Sequence, residues 1–208
     1  MLRFRECTLL KLEKTFQLKQ QRTLQPLQDW LARPAEVSEL EKQFLLIFQN
    51  HLIMNVHDWN EQELSLHFIG PVLGLINFTT PKSNLFAERG IEGVIDGITL
   101  LGEPDGMVAS GFREPEQPYF CFQEYKKHKD PQGDPAAQCL AAMLVAQSLN
   151  ETKQPVYGCY VIGYDWIFMV LQGREYAISS AFVATRDDIF DIFRILKVLK
   201  QMVIEWVG

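Results

Sequence analysis

Eight residues, Tyr119 to Lys126, constrain this chain more than any other stretch. The run Tyr119-Phe120-Cys121-Phe122-Gln123 is apolar on both faces, the pattern of a central strand covered above and below. It ends in Glu124-Tyr125-Lys126. Residues i and i+2 of a strand share a face, so the carboxylate of Glu124 and the ammonium of Lys126 project together. Burying a charge is expensive unless it is paired or bound to a metal. The chain must therefore build a central strand, cover both of its faces, and supply partners for two charges at its end.

A further acid stands nineteen residues before Glu124, in Pro104-Asp105. Asp105 opens a second strand-like run, Gly106-Met107-Val108-Ala109. If the two strands are neighbours, two carboxylates and a lysine converge. Oxygen donors in that number suit a hard cation such as Mg²⁺, which keeps several waters and needs few protein ligands. Plainer readings stand beside this one. Glu124 and Lys126 also make a same-face salt bridge, and Asp105 before Gly106 also suits a turn.

The flanking pattern alternates helices and strands. Apolar positions from Glu6 to Leu31 predict an amphipathic helix, kinked at Pro26 and stopped by Arg33-Pro34. Ser38 with Glu41 is a capping box and predicts a second helix with Leu40, Phe44, Leu45, Ile47, Phe48, Leu52 and Ile53 as its buried stripe. Asn60 with Glu63 predicts a third, disturbed at Pro71. Between Leu85 and Gly111, glycines and β-branched residues predict strands joined by tight turns. Arg113 to Pro118 reads as a loop, and Lys127 to Gly133 as a polar link. Asp134-Pro135 then opens an Ala-rich helix to Leu149. A hairpin follows over Val156–Ile162 and Trp166–Leu171, with a further short run at Glu175–Ser179. A closing helix follows Thr185 and Asp188. Its apolar face runs from Ile189 to Trp206. A helix between strands signals a crossover, and tight turns signal antiparallel pairs. The expected fold is α/β, with a mixed central sheet flanked by helices. Residues 1–58 form an N-terminal helical extension and residues 59–208 the core, the two together one compact unit.

Charge and cysteine usage narrow the setting. The formal net charge is −6, but residues 1–22 hold six Lys/Arg against two Asp/Glu, whereas residues 23–125 hold five against fifteen. The basic N-terminus and the cluster Lys126-Lys127-His128-Lys129 are the places suited to phosphate. Cys7, Cys121, Cys139 and Cys159 are far apart and mostly in apolar runs, as expected of reduced core residues in a cytoplasmic protein. His51, His57 and His67 lack zinc-motif spacing. No signal-peptide pattern opens the chain, and no uncharged apolar run reaches membrane-span length. Phosphate-loop and nucleophile-elbow glycine motifs are absent. Tyr164 and Trp166 suit either the core or the stacking of a base.

With Pro104-Asp105 and Glu124-Tyr125-Lys126 in this strand–strand–helix setting, the chain resembles the PD-(D/E)XK nuclease superfamily, over roughly residues 60–171. The resemblance implies a restriction-endonuclease-like fold and a Mg²⁺- or Mn²⁺-dependent nuclease hydrolysing phosphodiester bonds of DNA. It also implies roles. Asp105 and Glu124 would be metal ligands, joined by the backbone carbonyl of Tyr125. Lys126 would orient water or neutralise phosphate. Glu63 would be a third acid, and Gln138 would bind phosphate or hold Lys126. The plainer reading of Glu63 is that it completes the Asn60 capping box. A single-site domain cutting a duplex favours a homodimer, and a protein partner is the other source of the basic grip this chain has only in patches. The alternative is a non-catalytic protein of the same fold, serving as an interaction subunit in a DNA-processing or defence assembly.

Overall fold

The structure, a computed structural model, describes residues 1–129, 133–150 and 154–207. Part of the expected polar link after Lys127 lies outside the described residues.

Among the described residues, eleven strands and seven α-helices follow in chain order: β1 Leu2–Arg3, α1 Leu9–Phe16, β2 Lys19–Gln20, α2 Gln25–Ala32, α3 Glu39–Asn55, α4 Glu61–Leu64, α5 Gly70–Ile76, β3 Ser83–Ala87, β4 Ile91–Ile95, β5 Ile98–Gly102, β6 Gly106–Ser110, β7 Glu116–Lys126, α6 Pro135–Leu149, β8 Val156–Ile162, β9 Asp165–Gln172, β10 Glu175–Ile178, β11 Phe182–Val183 and α7 Asp188–Val207. They build an eight-stranded mixed sheet, in the order β2-β10-β9-β8-β7-β6-β3 with β11 also on β9. A three-stranded sheet is ordered β1-β5-β4. The pairs β3–β6 and β6–β7 are antiparallel, and β7–β8 is parallel, with α6 as the crossover.

Strand β7 lies inside the large sheet and is covered on both faces, as its apolar run requires. One face packs against α2, α3, α5 and α7, through Trp30, Leu45, Val72 and Phe193 among others. The other packs against α6 and α1, with Phe122, Leu140, Leu12 and Phe16 in one cluster. The alanines of α6 permit a close approach. A Cβ added at Gly158 of β8 would fall 2.6 Å from the Met143 sulfur and 2.7 Å from the Cys139 sulfur. All four cysteines are buried and unpaired. Among the described residues, no helix is long and apolar enough to cross a membrane.

The N-terminal segment departs from expectation. Gln17 adopts a left-handed conformation and ends α1 there, and β2 then pairs in parallel with β10. Pro26 does not kink a helix; it sits in the first turn of α2, where its missing N–H costs nothing. Strand β1 pairs with β5, and the Trp30 indole donates to the Ile195 carbonyl at 2.9 Å. Strands and helices of residues 1–58 are therefore woven into both sheets and the core.

Two helix predictions also change in detail. The Ser38–Glu41 capping box forms, yet only Leu45 and Leu52 of α3 are fully covered, and Leu40, Phe44, Ile47 and Ile53 face outward. Beyond α4, residues Ser65–Ile69 form a π-helical turn that runs into α5. Pro71 accounts for it: proline cannot donate to an α-helical bond and its ring crowds the carbonyl of residue i−4, so the turn widens.

The close approach of α6 to β8 makes Gly158→Val an overpacking change. It should destabilise the protein by about 1–3 kcal/mol, measured by urea denaturation. An unchanged midpoint would mean that α6 does not sit this close to the sheet.

Candidate functional site

Gly106 pairs with Gln123, so Asp105, one residue earlier, lies level with the end of β7. Strand β6 has ended there, which leaves the Tyr125 amide without a strand partner. The Asp105 carboxylate accepts that N–H at 2.5 Å. Room for this junction comes from Gly106, where a Cβ would fall 2.8 Å from Gln123 Oε1. The Tyr125 hydroxyl donates to the same Gln123 oxygen.

Glu124 and Lys126 share a face as their spacing requires. Lys126 Nζ donates to Glu124 Oε1 at 2.8 Å, and both side chains are almost fully buried. A second carboxylate, Glu61 Oε2, stands 3.8 Å from Lys126 Nζ. A cleft of about 540 Å³ opens onto this junction, lined by Glu61, Ser65, Leu66, Glu88, Asp105 and Tyr125.

The helix acid that reaches the site is thus Glu61, not Glu63. Glu63 accepts the Asn60 amide at 2.8 Å, and its own amide donates to Asn60 Oδ1 at 2.9 Å. The capping box consumes Glu63, while Glu61, in the first turn, is left to project. The signal for this was in the sequence: once Asn60 and Glu63 are read as a capping box, Glu61 is the remaining acid of that turn. Glu88 gave no such signal. It sits between β3 and β4 in a left-handed conformation (φ 50°), with its amide donating to the Asp105 carbonyl at 3.3 Å.

Gln138 is not placed on Lys126. It lines a neighbouring cleft of about 490 Å³ with Arg3, Arg5, Glu92 and Glu103. The two clefts are close along the chain, because Glu103 precedes Asp105 by two residues. The thiol of Cys139, next to Gln138, is within electrostatic reach of Glu124. Elsewhere, Trp166 is core, and the Tyr164 ring lies against His128 with centroids 4.5 Å apart.

The electrostatics of the junction set buried carboxyls against a single ammonium. Burial pushes the Asp105 carboxyl up, outweighing the Tyr125 amide and the Lys126 charge that favour ionisation. Burial, and then the Asp105 charge, push Glu124 up to about 7 despite its bond to Lys126. Burial pulls Lys126 down, but the Glu124 hydrogen bond and the surrounding carboxylates more than offset it, so its pKa is raised. One ammonium thus serves several acids.

Among the described residues, no group of three or more His, Cys, Asp or Glu could hold a metal ion. That excludes a cage of side chains but not the sparse oxygen set that Mg²⁺ accepts. Backbone geometry adds a donor. The N–H and C=O of one strand residue point to the same edge. The Tyr125 N–H faces Asp105, so its carbonyl faces that side too, while the Lys126 carbonyl accepts from Gly163 at 2.8 Å on the opposite edge. Asp105, Glu124 and the Tyr125 carbonyl are the oxygens that a hard cation at this junction would have to use, with waters completing its shell.

Compared with known proteins, the chain matches no family model and no curated protein sequence.

The raised pKa of Glu124 has a consequence in metal-free protein. Its folded value lies above its unfolded value, so ionising it opposes folding. The penalty is absent below about pH 4.5, grows as pH rises, and is complete above about pH 7. Glu124→Gln should therefore stabilise the protein by about 1–3 kcal/mol at pH 8 and confer no advantage near pH 4.5, as read by thermal unfolding in EDTA. Equal destabilisation at both pH values would show that the carboxylate is simply the partner of Lys126.

Proposed function

We propose that the protein is a Mg²⁺- or Mn²⁺-dependent nuclease of restriction-endonuclease-like fold, hydrolysing phosphodiester bonds of DNA. The observation that carries this reading is the meeting of Asp105, Glu124 and Lys126 at the ends of two paired strands. The order of elements supports it: a helical acid at Glu61, the antiparallel series β3–β6–β7, the α6 crossover, then β8 parallel to β7. The PD-(D/E)XK superfamily resemblance rests on the same residues.

In-line hydrolysis gathers negative charge on the phosphoryl oxygens. When bound, the divalent ion would stabilise that charge and lower the pKa of a water. Asp105 and Glu124 would hold it, with the Tyr125 carbonyl. Lys126, relieved of Glu124 once that carboxylate turns to the metal, would present its ammonium to the phosphate or the attacking water. Glu61, across from Lys126, would keep the ammonium charged and in place. Arg3, Arg5 and Gln138 in the adjoining cleft suit the phosphates of the strand beyond the cut, although Glu92 and Glu103 share that cleft.

A second reading is a non-catalytic nuclease-fold subunit of a DNA-processing or defence assembly. The 2.8 Å Glu124–Lys126 pair favours it, because the lysine already has a partner. So does the net charge of −6, which weakens a solitary grip on DNA.

Calorimetry with Mn²⁺ and cleavage assays on single- and double-stranded DNA separate the two. Asp105→Ala and Glu124→Ala should lose metal binding and cleavage together. Lys126→Ala should keep the metal and lose about 100-fold or more in rate. Metal binding by wild type without cleavage favours the subunit, and absence of binding at millimolar Mn²⁺ contradicts the nuclease. The two helix acids should also part. Glu61→Gln should slow cleavage at unchanged stability, whereas Glu63→Ala should cost about 1 kcal/mol of stability and leave cleavage intact. A slowed Glu63→Ala with a normal Glu61→Gln would reverse their roles.

A further inference from the structure

The three-stranded sheet β1-β5-β4 packs one face on α6, through Leu2, Leu100 and Ile91, and turns the other outward. On the outward face the register fixes a row. Arg3 pairs with Leu101 across β1 and β5, and Glu92 pairs with Leu101 across β4 and β5. Residues directly opposite in a sheet share a face. A guanidinium and a carboxylate therefore flank Leu101, two strand spacings or about 10 Å apart along the row. Glu103, two residues after Leu101, returns to the same face. It rises beside Gly90, where a Cβ would fall 3.8 Å from Glu103 Cγ. Arg3, Glu92 and Glu103 surround the cleft of about 490 Å³, with Arg5 and Gln138. Both arginines and both glutamates are exposed, and none of the four is in an ion pair among the described residues.

A ligand for this cleft must answer both signs. Arginines alone suit phosphate, but two carboxylates beside them repel it. An ionised carboxylate only accepts hydrogen bonds, so the ligand must also present donors. A nucleotide does both, with phosphate at one end and a base at the other. Guanine matches a carboxylate best. Its N1–H and N2–H lie side by side on the Watson–Crick edge and meet two carboxylate oxygens, while its O6 and N7 accept from arginine. Cytosine and adenine set one amine beside a ring-nitrogen acceptor, and thymine sets one N–H between two carbonyls. The Watson–Crick edge is free only in an unpaired base, and the cleft has the size of a site that encloses a small ligand.

We infer that this cleft is a base-reading subsite. Arg3 and Arg5 hold a backbone phosphate, and Glu92 and Glu103 take the Watson–Crick edge of an unpaired guanine. Its place on the strand rests on the nuclease reading. Leu101 precedes Asp105 by four residues, so the row lies no more than about 14 Å from it. At 3.4 Å of rise per nucleotide, the guanine stands no more than about four nucleotides from the phosphate at Asp105.

Fluorescence anisotropy on the full chain in EDTA tests the subsite without cleavage, using a short thymidine strand and the same strand with one guanine. The guanine strand should bind about 10-fold more tightly. Hypoxanthine in place of guanine, which lacks only the N2 amine, should lose most of that gain. Glu92→Gln with Glu103→Gln should abolish the preference. Arg3→Ala with Arg5→Ala should weaken both strands alike and flatten their salt dependence. If the double glutamine variant instead tightens both strands by one factor, the carboxylates merely repel phosphate and the inference fails. Equal affinity of wild type for the two strands overturns it, as does no binding at about 100 micromolar protein. Deoxyguanosine monophosphate binding as tightly as the guanine strand would make this a free-nucleotide site and overturn the strand assignment. Guanine-selective binding without Mn²⁺-dependent cleavage would uphold the subsite and contradict the nuclease. Cleavage by a protein that binds without guanine preference would do the reverse.

Discussion

The site is organised by one hydrogen bond, from the Tyr125 amide to the Asp105 carboxylate. It forms because the β6–β7 pairing ends at Gly106–Gln123 while β7 runs on to Lys126, which leaves a strand donor that must be satisfied. Asp105 meets that need and is thereby fixed against the end of β7. The same register sets the Tyr125 carbonyl on the Asp105 side and aims Glu124 and Lys126 together. Few other features of the site are free to vary once that bond is made.

The rest of the fold bears the electrostatic cost of this junction. Asp105 and Glu124 are pushed toward the neutral form by burial, and Lys126 is shared between Glu124 and Glu61. Such an arrangement is tolerable only within a large apolar frame. The frame is the sheet packed on one face by α6 and α1 and on the other by α2, α3, α5 and α7. The crowding of carboxyls around a single ammonium is the chemical ground on which we propose a divalent cation there. A bound cation would relieve the repulsion that the metal-free fold withstands.

Much of this was legible in the sequence, because the signals were local. The Tyr119–Lys126 run gave a central strand with a charged end, Asp134-Pro135 gave the start of α6, and the capping boxes gave the starts of α3 and α4. The strands between Leu85 and Gly111 were expected as a group, but not their division between two sheets, which depends on the non-local pairing of β1 with β5. Lys19–Gln20 carries no strand pattern at all; its pairing with β10 follows from where Gln17 turns the chain. Pro26 was misread because proline disrupts a helix interior but suits a first turn, and the sequence pattern alone did not mark the boundary. Glu63 carried two readings in the sequence, cap and site acid, and the cap is the one the structure forms, since a capping acid and a site acid look alike until the cap is seen to consume one of them. The stripe of α3 was taken as core because periodicity reports which residues share a face, not which face meets the domain.

A crystal soaked in Mn²⁺ and measured at the manganese absorption edge tests the metal site most directly. The expected result is an anomalous peak about 2.1 Å from oxygens of Asp105, Glu124 and the Tyr125 carbonyl, with Lys126 displaced from Glu124. Millimolar Mn²⁺ leaving no peak, with the 2.8 Å Glu124–Lys126 pair intact, would contradict it.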